Sequence, residues 1–460
     1  MNMLITDCGA KEEYFDNSKF IQKAIDDVSN SGGGKVIVPK GRFLTGTIFL
    51  KDNVELYLEE DSILQAGNDL SLFSLDKNVG KENLDIPSYQ NCDYDGKPKL
   101  FFIYANHVKN IKITGKGAID GNESMFYGYQ DQYFIDGAFY PRMPLLYLEN
   151  VQNLEIKDVI LTKSAFWTVH MVGCRYVLIE GIKIRNNLKL ANCDGIDPDH
   201  CQNVEIRNCD IQCADDAIVF KNTFANRQYG DLEKVHVANC NLMTTSGAIK
   251  FGTESFGRFH DIHVENTAIH DSNRGITIQL RDEGSIDHCL FENLTISTRA
   301  FAKPYYWGYG EPIYITALKR TEDTKLGTVS NLTFRNIMID SENGIFIHGE
   351  NIDSIHDILF ETMSINIHKK SKWKIDKKDL RPYDKLPFIE DKKVDIIYVN
   401  NANNIEFKGF MYMVSPEYIE NVEGFKILNT KNIILNNQNF NDCLWLLCLF
   451  QYRFDDYQSI

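Results

Sequence analysis

The sequence predicts an all-β fold: a right-handed parallel β-helix, built as a single-stranded solenoid with a short N-terminal helix cap. Three observations lead there. First, a polar residue followed by apolar-polar-apolar alternation recurs at Asn110-Ile-Lys-Ile113, Asn153-Leu-Glu-Ile156, Tyr176-Val-Leu-Ile179, Asn203-Val-Glu-Ile206, Lys234-Val-His-Val237, Asp261-Ile-His-Val264, Asn331-Leu-Thr-Phe334, Asp357-Ile-Leu-Phe360 and Asn403-Asn-Ile-Glu-Phe407. Second, between Asn153 and Asp261 the units return about every 23–31 residues, a solenoid period, with no helical pattern between the strands. Strands stacked by a chain that always winds one way form a parallel coil, and right-handed crossover is its default. Third, Asn stands repeatedly at the corners, where its tolerance of left-handed backbone suits a bend. A β-propeller would show blades of about 40 residues with their own signatures, and none is found.

The elements follow in order. Residues 1–65 read as the N-terminal cap of the solenoid. Asp16-Asn-Ser18 supplies helix-capping types, and Phe20, Ile21, Ala24, Ile25 and Val28 follow at helical spacing. The helix stops at Asn30-Ser-Gly-Gly-Gly34, after which Lys35–Pro39, Thr47–Leu50 and Val54–Leu58 alternate as strands. Residues 66–105 keep no steady period and form a long loop excursion, of the length that usually carries function. The coil itself occupies residues 106–436, and residues 437–460 form a C-terminal cap or tail, in which the apolar run Leu444–Phe450 covers an end of the fold.

Composition narrows the function classes. A net charge of -15 without a Lys/Arg stripe argues against nucleic acid as a partner. The run at Leu444–Phe450 is far shorter than the roughly 20 apolar residues a bilayer requires, so no membrane partner is expected. The N-terminus shows no basic segment leading into a long apolar one, which suggests a cytoplasmic protein, or a secreted one whose leader has been removed. The 11 cysteines, odd in number and scattered, suit reduced thiols and form no paired zinc pattern.

The chemistry-bearing stretch is Asn192–Lys221. It holds Asp194, Asp197 and Asp199, then the doublet Asp215 and Asp216, one repeat unit apart. On adjacent rungs roughly 4.8 Å apart, Asp194 and the doublet would face one cleft, as acid/base work on a glycosidic bond requires. Aligning a second set of strands places Ile218, Ile249, Ile276, Ile313 and Ile345 in one inward column. Val219, Lys221, Lys250, Thr277, Gln279, Arg281 and His348 then face outward. Lys250 and Arg281 would hold an anionic or branched sugar, or else merely pair with Glu254, Asp282 or Glu283. The aromatic loop Tyr305–Glu311, with Trp307, serves either sugar stacking or plain packing. The excursion Lys369–Lys393, with Trp373, Arg381 and Tyr383, would wall one end of the cleft and favour exo attack. His170 and His200 lie near the acidic rungs, with His170 a low-ranked helper.

These residues resemble the polygalacturonase family of pectin-degrading glycoside hydrolases, from Gly9-Ala10 and Gly32-Gly-Gly34 through Phe166-Trp-Thr-Val-His170 to about residue 350. The family's Asn-Thr-Asp signature matches Asn192-Cys-Asp194, and its Asp-Asp signature matches Asp215-Asp216 with Lys221 following. The resemblance implies a right-handed parallel β-helix and metal-free hydrolysis with inversion, with no cofactor. Asp215 would be the general acid, Asp194 and Asp216 would hold and deprotonate the attacking water, and the substrate would be a uronate-containing poly- or oligosaccharide. Two motifs depart. Gly-His-Gly is replaced by Ser246-Gly247-Ala248, and Arg-Ile-Lys by Thr277-Ile-Gln279. Rhamnogalacturonan hydrolases, close relatives, also lack that histidine. A calcium-dependent polysaccharide lyase and a non-catalytic carbohydrate-binding β-helix stand as rivals, with an epimerase behind them.

Overall fold

The computed structural model describes residues 1–73, 100–137, 142–302 and 305–440. Most of the 66–105 excursion and the apolar run at Leu444–Phe450 lie outside the described residues. The chain winds as a coil with three parallel faces. One face stacks Lys109–Gly115, Gln152–Lys157, Arg175–Glu180, Gln202–Arg207, Leu232–Ala238 and Arg258–Glu265. A second stacks the short strands Ala118–Asp120, Ile160–Thr162, Lys183–Arg185, Asp210–Cys213 and Asn241–Thr244. The third carries Leu146–Glu149, Val169–Val172, Ile196–Asp199, Ile218–Asn222, Gly247–Ser255, Arg274–Leu280, Ile313–Ala317 and Ile345–Gly349. From Ser285 onward the first two faces merge into long bent strands, Ser285–Thr298, Val329–Ser341 and Ile355–Ile367.

The corners explain why this sequence coils. Asn110, Asn153, Tyr176, Asn203, Lys234, Asp261, Asn331, Asp357 and Asn404 all have positive φ, so the repeated polar position is a left-handed bend in turn after turn. Asn fits best because its amide can also bond along the stack. Asn153 Nδ2 donates to Asn110 Oδ1 at 2.9 Å, and Asn110 Nδ2 to Asn53 Oδ1 at 2.7 Å.

Inside, identical positions stack on one another. Ile218, Ile249, Ile276 and Ile313 are in register, and these four and Ile345 are fully buried or nearly so. Phe291, Phe334, Phe360 and Phe407 stack with ring centroids 4.7, 4.8 and 4.4 Å apart. Apolar burial on this scale dominates folding energetics. At the N-terminal end the helix Ser18–Asn30 buries Ile21, Ala24, Ile25 and Val28 over the first turn. The stack already takes in strands assigned to the cap: Gly34–Val38 pairs in parallel with Val54–Leu58, and that strand with Lys109–Gly115.

Candidate active site

The third face positions the acids. Parallel pairing of Ile196–Asp199 with Ile218–Asn222, and of the latter with Gly247–Ser255, sets three consecutive rungs side by side. Asp194 precedes the first of these strands, and the doublet precedes the second. One oxygen from each of Asp194, Asp215 and Asp216 lies within 4.8 Å of the others. Gly195 makes the approach possible, because a Cβ there would lie 2.3 Å from the Ala217 carbonyl oxygen. Thr168 fixes the rung below, donating N–H and Oγ1–H to the Asp194 carbonyl at 3.0 and 2.6 Å.

The carboxylates have different surroundings. Asp216 accepts from Ser246 Oγ at 2.8 Å, Gly247 N–H at 2.9 Å and Lys250 Nζ at 2.9 Å. Burial alone would raise its pKa, but Lys250 and Lys221 outweigh burial and hold it below the usual carboxylate range. Among the described residues the Asp215 carboxylate accepts only backbone N–H groups, from Asn192 at 3.1 Å and Asp216 at 3.0 Å. Burial and the charge of Asp216 push it up to about 6. Asp194, raised well above its ordinary value by burial and by Asp215, sits 3.8 Å from Lys221 Nζ. Beneath it Asp197 is fully buried, 3.6 Å from the same ammonium, and burial raises its pKa as well. Lys221 also lies 4.1 Å over the Trp167 ring.

These groups open into a groove of about 460 Å³ whose lining includes Trp167, Asn192, Lys221, Lys250, Gln279 and Trp307. Asn192, with φ of 55°, takes a hydrogen bond from buried Arg142 at 2.6 Å while its own N–H reaches Asp215. Gln279 donates to the Arg381 carbonyl at 3.0 Å. Lys250 pairs with Asp216 rather than with Glu254, Asp282 or Glu283.

Two assigned residues stand elsewhere. Arg281 is fully buried and does not line the groove; it donates to the carbonyls of Pro382 at 3.0 Å and Leu380 at 3.2 Å, and to Thr316 Oγ1 at 2.9 Å. Alternation placed it outward, but the strand ends at Leu280 and the 380–382 segment covers the next residue. His170 is likewise buried, packed edge-on against Trp167 and Tyr147 and 3.9 Å from Asp199. Burial lowers its pKa. Asp199 and His200 are structural too. Asp199 accepts from Thr223 and Asn226, and His200 bonds the carbonyls of Gly230 and Thr223.

Residues without an individual role in the sequence reading complete the groove, Arg381 having been read only as part of the excursion that walls the cleft. Arg381, bound to Asp379, has its guanidinium 4.9 Å from the Trp307 ring centroid and lines the cavity. Trp167 lies within the quoted Phe166–His170 stretch, but nothing in the pattern around Arg142 signals its role. Above the groove, three excursions interlock. Tyr305 donates to Asp131, Tyr306 to the Tyr133 carbonyl at 2.9 Å, and Lys372 to Tyr133 Oη at 2.8 Å.

The coil and its grooved flank define a right-handed parallel β-helix protein. Within that class the chain is similar to polygalacturonases: the family model described as Glycosyl hydrolases family 28 matches residues 87–302, just under half of the chain. It is 29% identical over 307 residues to a probable polygalacturonase of Vitis vinifera, covering 64% of this chain and 60% of that protein. An exopolygalacturonase of Cochliobolus carbonum is 28% identical over 222 residues, covering 46% and 44%. The matches thus cover less than two thirds of the length of these two relatives. In fold it is similar to the family 28 exopolygalacturonase of Yersinia enterocolitica, with TM-score 0.70, 17% identity and coverage of 96% of this chain and 79% of that one. It is also similar to the hyperthermoactive exopolygalacturonase of Thermotoga maritima, with TM-score 0.61, 19% identity and coverage of 96% and 93%.

Proposed function

We propose that the protein is a glycoside hydrolase acting on a uronate-containing, pectin-type poly- or oligosaccharide. The observation that carries this reading is the split between consecutive carboxylates: Asp215 is raised to about 6 while Asp216 is held ionised by three donors. Environments that push paired carboxyls apart assign acid and base. Asp215 protonates the leaving glycosidic oxygen. Asp216 takes the proton of the attacking water, and Asp194, its pKa raised by burial and by Asp215, orients that water from the rung below. Attack from the face opposite the leaving group gives inversion.

The oxygens lie closer than the roughly 6.5–9.5 Å of an ordinary inverting pair. Anomer-resolved NMR of the first product decides between inversion and retention. A reducing-end assay across homogalacturonan, rhamnogalacturonan and their oligomers tests the reading as a whole, which fails if none is cleaved.

Exo attack on oligosaccharides fits the interlocked excursions over the groove. Full-length polymer cut first at internal bonds would contradict it. A calcium-dependent lyase is disfavoured because Lys221 and Lys250 already neutralise the acids that a cation would need. Activity surviving chelator, without unsaturated product, separates the two. A reducing, cytoplasmic setting accords with the thiols, seven of which are buried among the described residues.

A further inference from the structure

We propose that Lys250 is a positioning residue that keeps Asp216 ionised beside a protonated Asp215, acting from the rung above in a site whose Ser246-Gly247-Ala248 turn offers no imidazole. This rests on the hydrolase reading.

The geometry is specific to Lys250. In the parallel register Val219 pairs with Lys250 and Lys250 with Thr277, so its side chain rises from the outward column directly beside the doublet. Its Nζ lies 2.9 Å from Asp216 Oδ2, and the two side chains are only 11% and 6% exposed. The other oxygen, Oδ1, is occupied by Ser246 Oγ and Gly247 N–H. All three donors to Asp216 therefore come from one turn and the strand it begins. The next position in register, Thr277, is neutral, and Arg274 on that strand is paired with Glu311.

The charges facing Asp216 come from each neighbouring element: Asp194 and Asp197 from the rung below, Asp215 and Lys221 from its own, and Lys250 above. Lys221 is drawn toward Asp194 and Asp197, at 3.8 and 3.6 Å. That leaves Lys250 as the ammonium in contact with Asp216. Crowded acids at this spacing cannot all ionise. The group in contact with the cation keeps its charge, and its neighbour keeps the proton.

The test is Lys250→Met and Lys250→Arg on the full chain, with two readouts. The first is the carboxyl ¹³C titration of Asp216, which requires no turnover. The second is the pH dependence of kcat/KM. In Lys250→Met the Asp216 titration and the acidic limb should both move up by about 1 to 3 pH units, the effect of losing an opposite charge at this range. In Lys250→Arg, which keeps the charge, both should stay near wild type. Should Lys250→Met not fold, the wild-type titration decides: Asp216 must lose its proton at lower pH than Asp215. The proposal is overturned if Asp216 titrates above Asp215 in wild type, or if Lys250→Met titrates like wild type. It is also overturned if the variant's only defect is a raised KM for free-acid oligosaccharides that methyl-esterified ones do not show. Wild-type inactivity on every pectic substrate would sink the hydrolase reading while leaving the titration result standing.

Discussion

Asp215 and Asp216 are neighbours in the chain, and the Asp215 carboxylate accepts the Asp216 backbone N–H at 3.0 Å, yet the two side chains serve different rungs. Asp215 is tied back to Asn192 on the rung below, and Asp216 forward to Gly247 and Lys250 on the rung above. Asp215→Asn should therefore lower kcat at least about 100-fold, the worth of a positioned general acid, while the circular dichroism spectrum and oligosaccharide binding stay at wild type. Normal turnover would remove Asp215 from the mechanism.

The same split fixes the pH profile. Asp215 must hold its proton, so kcat/KM should fall as pH rises through about 6. Asp216 must be ionised, and since its pKa is depressed the acidic limb should lie below the ordinary carboxylate range. A profile flat from pH 5 to 8 would contradict the Asp215 assignment, and an acidic limb inside or above the ordinary carboxylate range would contradict that of Asp216.

Arg381 lines the groove from the hairpin in which Lys377–Asp379 pairs antiparallel with Phe388–Glu390, and it lies beside Trp307. Arg381→Ala should raise KM for free-acid oligosaccharides by about 10- to 100-fold, since charge-assisted hydrogen bonds contribute roughly 1.5–3 kcal/mol. Methyl-esterified oligosaccharides should show little change. An equal loss on both would assign Arg381 to packing instead.

Arg281 acts through that same hairpin. Arg281→Ala leaves the carbonyls of Leu380 and Pro382 without their donor, at a cost of about 1–3 kcal/mol each if they stay dry. Limited proteolysis should then cut within residues 369–393 well before wild type is cut. Cleavage at the wild-type rate would mean the hairpin is held by its other contacts.

In the core, Phe334→Ala opens a gap in the stack between Phe291 and Phe360, and should cost about 3–5 kcal/mol. Thermal unfolding should show a lowered Tm. An unchanged Tm would mean that the neighbouring turns collapse into the space.

The coil was legible because its cause is local and repeated: one polar corner and one apolar alternation per turn. The inward column from Ile218 to Ile345 followed from the same period. What the period cannot encode is what covers an outward side chain. Arg281 follows the last residue of its strand and keeps the outward side beside Thr316, but the 380–382 segment covers it, and an expected groove residue becomes an anchor. His170 was misplaced for a related reason, because a residue on the cleft face can be roofed by bulky neighbours such as Trp167. Arg142 and Arg381 reach the site from irregular excursions, whose paths depend on contacts up to about a hundred residues away. No periodic signal marks them.

The left-handed Asn corners carry one further consequence. Because the strands of each turn pair only with those of the turns before and after it, groove length and groove chemistry are separable properties of this architecture. Whole turns grafted beyond the rungs that carry Asp194, the doublet and Lys250 would lengthen the track along which a sugar chain lies, and the proton-handling machinery would register no change. Deleting a single residue within a turn would instead rotate every outward side chain of that rung into the interior.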